Sequence, residues 1–139
     1  TANNSDFQTL VSKGKDAAGK WKLSTYDGNA NGFITYGDGG TLSCGVATPS
    51  SVDTLSHFWF FVRNRDSGTL YKDNTSIVSQ TGLAASNFNS TVDLTIGTSE
   101  SQALTWWQGI IKAVYAFRSA LSPAEVFGLY LATKRELRL

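Results

Sequence analysis

The hydrophobic period of the chain changes near residue 121, and that change restricts the folds open to it. Across residues 111–117 apolar or aromatic side chains fill most positions with no cap and no turn signal. This is the pattern of a strand buried on both faces. Ser122 then offers an N-cap, Pro123 fills the first helical position and Glu125 stands three residues after the cap. Together they form a capping box with proline at N1. Val126, Leu129 and Tyr130 follow at i, i+3, i+4 spacing, which predicts a short helix, near 122–133, with one apolar stripe.

Upstream, strands alternate with turn chemistry. Residues 7–13 read as a strand closed by Gly14. Trp21, Leu23 and Thr25 alternate with Lys20, Lys22 and Ser24 as in a half-buried strand. Asp27-Gly28 and Asn31-Gly32 punctuate a hairpin into a strand over 33–36. Asp38-Gly39-Gly40 turns into residues 41–47, and a serine-rich loop leads to a strand over 55–65. The run Phe58-Trp59-Phe60-Phe61-Val62 predicts cover on both faces of that strand. Asp66-Ser67-Gly68 turns into 69–71, Asp73-Asn74 turns into 76–78, and 94–97 is a short strand ending on glycine. Strands at this spacing point to an all-β, antiparallel sandwich. With 139 residues and 41% hydrophobic content the chain suits a single domain over 1–139 that builds its core without staples.

Charge and cysteine count exclude several classes. Twelve basic residues against eleven acidic ones give a net charge of +1, too little to attract nucleic acid or hold an anionic membrane. No apolar run is long enough for a membrane span, and no signal peptide is visible. Cys44 is alone, so no intrachain disulfide forms, and one Cys with one His cannot build a Cys/His metal site.

Several motifs in order carry a resemblance. A strand with His57 and aromatics runs into Val62-Arg63, followed by Gly68-Thr-Leu-Tyr-Lys-Asp73 and Leu94-Thr-Ile-Gly97. Trp107 stands two before Gly109, and Ala120-Leu-Ser-Pro-Ala-Glu125 precedes Leu129-Tyr130. Over residues 7–131 the chain resembles the concanavalin A-like lectin/glucanase superfamily, specifically its laminin G-like modules. The resemblance implies a jelly-roll of two antiparallel sheets. It also implies leading strands ahead of residue 10 that this chain lacks, so that it is a shortened form, a piece of a longer polypeptide, or a sandwich completed by a neighbouring subunit. Ser56 replaces a tryptophan usual in the family, Asn74 a glycine, and Lys112-Ala113 an Asp-Glu pair.

Catalytic chemistry is poorly supplied. Retaining glycosidases need two carboxylates ~5 Å apart, hence close on one strand face. Glu100, Glu125 and Glu136 are isolated in sequence. A lone His57 in an aromatic strand reads as structural, and nothing resembles a nucleophile elbow. The expectation is therefore no enzyme, with a glycoside hydrolase-related domain as a distant alternative.

One stretch fits a calcium loop, with Asp27, Asn29, Asn31 and Asp38 as oxygen ligands and Gly32 at the tight turn. Its flanks read as strands where that motif requires helices, which favours an ordinary hairpin. The expected cofactor is thus none, with calcium as the alternative. Sugar binding would use exposed aromatic faces and turn amides. Trp106, Tyr26, Asn29, Asn31, Asp38, Asn87 and Asn89 are the candidates, with Tyr36 and Phe88 beside them. Trp107 matches the family's core aromatic, which leaves Trp106 as the exposed one of the pair.

Weak site chemistry, missing leading strands and the aromatic run favour a non-catalytic structural or interaction module. A virion decoration, fibre or surface-assembly component with an adhesion role fits this description. The alternative is a lectin-like carbohydrate-binding module of a larger surface or secreted protein. Expected partners are protein subunits of a larger assembly, surface glycans, or both, with the chain an oligomer or part of a longer polypeptide. The expected location is extracellular or on a virion or cell surface.

Overall fold

Most strands in this chain pair with the segment that the nearest turn brings alongside, while the first also takes a partner from far along the sequence. The computed structural model describes residues 8–13, 21–26, 32–36, 55–81, 93–97, 107 and 109–138. Seven strands and one helix occupy them: β1 Gln8–Lys13, β2 Trp21–Tyr26, β3 Gly32–Tyr36, β4 Trp59–Asn64, β5 Ser67–Lys72, β6 Thr75–Gln80, β7 Leu94–Ile96 and α1 Pro123–Leu137. They fall into two units, one holding β1–β3 and β7, the other β4–β6 and α1. The strand expected over 41–47 lies outside the described residues.

In the first unit the sheet order is β3-β2-β1-β7, with every pairing antiparallel. The β2–β3 pair is in register from Lys22↔Tyr36 to Tyr26↔Gly32, the geometry of the hairpin predicted from Asp27-Gly28 and Asn31-Gly32. Strand β1 is paired on both edges, and its successive residues Val11 and Ser12, whose side chains point to opposite faces, are both buried. Ser12 is satisfied across the β1–β7 ladder, where its hydroxyl lies 2.7 Å from that of its register partner Thr95. A register shift between Thr9 and Val11 marks a bulge at Leu10. The Leu10 carbonyl accepts from Gly97 N–H at 2.8 Å. Gly97 has a φ of 81°, a left-handed conformation that glycine adopts without penalty, and it ends β7.

In the second unit β4, β5 and β6 form an antiparallel meander. The first turn is Arg65-Asp66, with Arg65 at φ 53°. The second is Asp73-Asn74, with φ 48° and 73°, the paired positive values of a tight hairpin. Leu70 is fully buried and its neighbour Tyr71 nearly so, so the middle strand is covered on both faces. The aromatic run behaves as expected: Phe58 is buried and Trp59, Phe60, Phe61 and Val62 are all half-buried, leaving neither face of β4 open.

The capping box at α1 forms as the sequence predicts. Glu125 N–H donates to Ser122 Oγ at 3.3 Å, while Ser122 N–H donates to Glu125 Oε2 at 2.7 Å. Val126 and Thr133 are buried, Leu129 and Tyr130 half-buried, and the Tyr130 ring packs on Phe58 with centroids 5.9 Å apart. Phe58 stacks on Phe60, and Phe60 meets Phe117 at 5.8 Å, so one aromatic row ties β4 to the helix and to the segment before it.

Several expectations differ from the structure: the turn expected at Asp66-Ser67-Gly68 is Arg65-Asp66, with Ser67 and Gly68 already in β5, and the strand expected over 55–65 is confined to Trp59–Asn64. The helix runs four residues past 133, ending on Arg138 in a left-handed cap whose N–H bonds Lys134 O. No glycine or proline stops it earlier, and Lys134 and Arg135 suit the negative end of the helix dipole. Residues 111–117 form no strand, and Lys112 to Phe117 are exposed. An apolar run becomes a strand only where a neighbour offers free N–H and C=O groups, and no ladder partner stands beside it among the described residues. Phe117 is held by its ring contact with Phe60 instead.

Candidate functional site

Most of the sequence-derived site residues fall outside the described residues. Asp27, Asn29 and Asn31 lie between β2 and β3, Asp38 follows β3, and all four lie outside the described residues, as do Asn87, Asn89 and Trp106. Tyr26 is the last residue of β2 and pairs through its backbone with Gly32, at the end of the hairpin that carries Asp27, Asn29 and Asn31. Tyr36 stands at the opposite end of β3, paired with Lys22.

Among the described residues, Asp73 joins three hydrogen-bonding contacts. Its position follows from the hairpin: β4 and β5 pair from Asn64↔Ser67 to Trp59↔Lys72, and one step further sets Phe58 opposite Asp73. Asp73 N–H donates to Phe58 O at 2.9 Å, and Phe58 N–H donates to Asp73 Oδ1 at 2.9 Å. The second carboxylate oxygen contacts Nδ1 of half-buried His57. One aspartate thus holds the incoming strand, the turn and the imidazole together. This geometry fits the structural role expected of His57. The signal that would have located its partner was the hairpin register, counted back from the Arg65-Asp66 turn.

Glu125, one of the isolated carboxylates, is also committed to the fold. Oε2 accepts from both the hydroxyl and the N–H of Ser122, each at 2.7 Å. The Ser122 side-chain bond, and then its backbone bond, hold the Glu125 carboxyl below the ordinary glutamate range. A glycosidase acid needs the opposite shift, upward, to keep its proton near neutral pH.

Two described tryptophans, Trp59 and Trp107, are likewise engaged in local packing. Lys72 stands over its register partner Trp59, with Nζ 5.4 Å from the ring centroid. Trp107 donates its backbone N–H to Gly97 O at 2.8 Å, and its indole folds onto Gly109. A Cβ added at Gly109 would lie 2.7 Å from Trp107 Nε1, so this close approach requires glycine. Trp107 is half-buried, as expected of a ring packed on its own chain. Among the described residues no group of three or more His, Cys, Asp or Glu side chains converges to hold a metal, and no helix is long and apolar enough to cross a membrane.

Comparison with known proteins agrees with this architecture. The family model Laminin_G_3, of the concanavalin A-like lectin/glucanases superfamily, matches residues 1–127, beginning and ending earlier than the resemblance over 7–131. No curated protein matches the chain. Among solved structures, an S-layer domain-containing protein from Clostridium thermocellum, crystallised as residues 221–444, is similar with a TM-score of 0.51 at 15% identity. The alignment covers 94% of this chain and 65% of that one, so the chain spans about two thirds of the solved structure. At that identity the likeness speaks for the fold.

Proposed function

The chain belongs to the Laminin_G_3 family of the concanavalin A-like lectin/glucanases superfamily, and from that premise we propose that it is a non-catalytic surface-assembly module. Its two antiparallel sheets act as a scaffold that touches other subunits, with copies of the chain or parts of a longer polypeptide completing the assembly. The observation that carries this reading is where the ionisable groups go. Asp73 and His57 close a hairpin and Glu125 caps a helix, so these groups serve the fold. Large apolar side chains at the surface, among them Leu94, Ile96, Phe127 and Leu131, further support a role in contact. By analogy with the neighbour, an S-layer domain-containing protein, we place this chain at a cell surface.

The second reading is a lectin-like module, and the family's lectin branch favours it. In that reading the β2–β3 hairpin end supplies Tyr26, Asn29 and Asn31, while Asp38, Asn87, Asn89 and Trp106 supply the remaining contacts to sugar. Calcium, if used, would sit on Asp27, Asn29, Asn31 and Asp38. A glycan array read with calcium and with a chelator separates the two. Saturable sugar binding that Trp106→Ala abolishes would establish the lectin, whereas the assembly reading expects none.

A further inference from the structure

We draw no further inference here: the strongest candidate, the outward face of α1 where exposed Phe127 and Leu131 flank Gly128, is an unpartnered apolar surface, and nothing in the structure shows what covers it.

Discussion

Replacing Asp73 tests the hairpin closure directly. In Asp73→Ala the N–H of buried Phe58 loses its side-chain acceptor, and a buried donor left without a partner costs about 1–3 kcal/mol. The substitution also puts alanine at φ 48°, where an L-residue without a side-chain acceptor pays roughly 1 kcal/mol. The contact with His57 adds little, because the Asp73 side chain is 36% exposed and such pairs contribute about 0–1 kcal/mol. The expected total is about 2–4 kcal/mol. Asp73→Asn keeps an acceptor for Phe58 N–H and tolerates the positive φ, so it should cost less than about 1 kcal/mol. Equilibrium urea denaturation, followed by tryptophan fluorescence, reads both. With a urea dependence of about 2 kcal/mol per molar, Asp73→Ala moves the midpoint down by roughly 1–2 M and Asp73→Asn by under 0.5 M. An alanine variant as stable as the parent, or an asparagine variant as damaged as alanine, would refute the assignment of the stabilisation to the Phe58 bond and the turn.

Other sites give independent checks. Gly109→Ala drives a methyl group to 2.7 Å from the Trp107 indole nitrogen, and displacing the ring should cost about 1–3 kcal/mol, visible as a red-shifted emission and a lower urea midpoint. Arg65→Gly relieves a left-handed residue while leaving the Arg63 Nε–H bond to the backbone carbonyl at 65, and thermal denaturation should show stabilisation of about 0.5–1 kcal/mol. Ser122→Ala removes the cap of α1 and should lower far-ultraviolet helical dichroism and stability by about 1 kcal/mol. Because the Glu125 carboxyl is lowered in the folded chain, its contribution is complete above the ordinary glutamate range and disappears as pH falls through the lowered value. Stability measured across acid pH should therefore fall less steeply in Ser122→Ala than in the parent.

Local chemistry was readable and distant pairing was not. The cap at Ser122, the stripe of Val126, Leu129 and Tyr130, and the Asp73-Asn74 turn depend on residues within four positions of one another, and each took the form the sequence indicates. The segment 111–117 shows the limit, since apolar density says that a stretch wants cover but not which strand supplies its hydrogen bonds. The contact of His57 with Asp73 was recoverable in principle, because one hairpin's register fixes it, yet neither residue alone announces the other. For the sugar and calcium candidates, turn residues such as Asn29 and Asn87 mark where polar groups gather, while their convergence on one ligand depends on tertiary placement that short-range patterns do not encode.

Sedimentation velocity of the purified protein over a range of micromolar concentrations tests the assembly reading most directly. The account predicts boundaries faster than a single chain would give, rising with concentration and indifferent to added glycans or calcium. A species that stays monomeric throughout, and whose saturable ligand is a sugar, would contradict it.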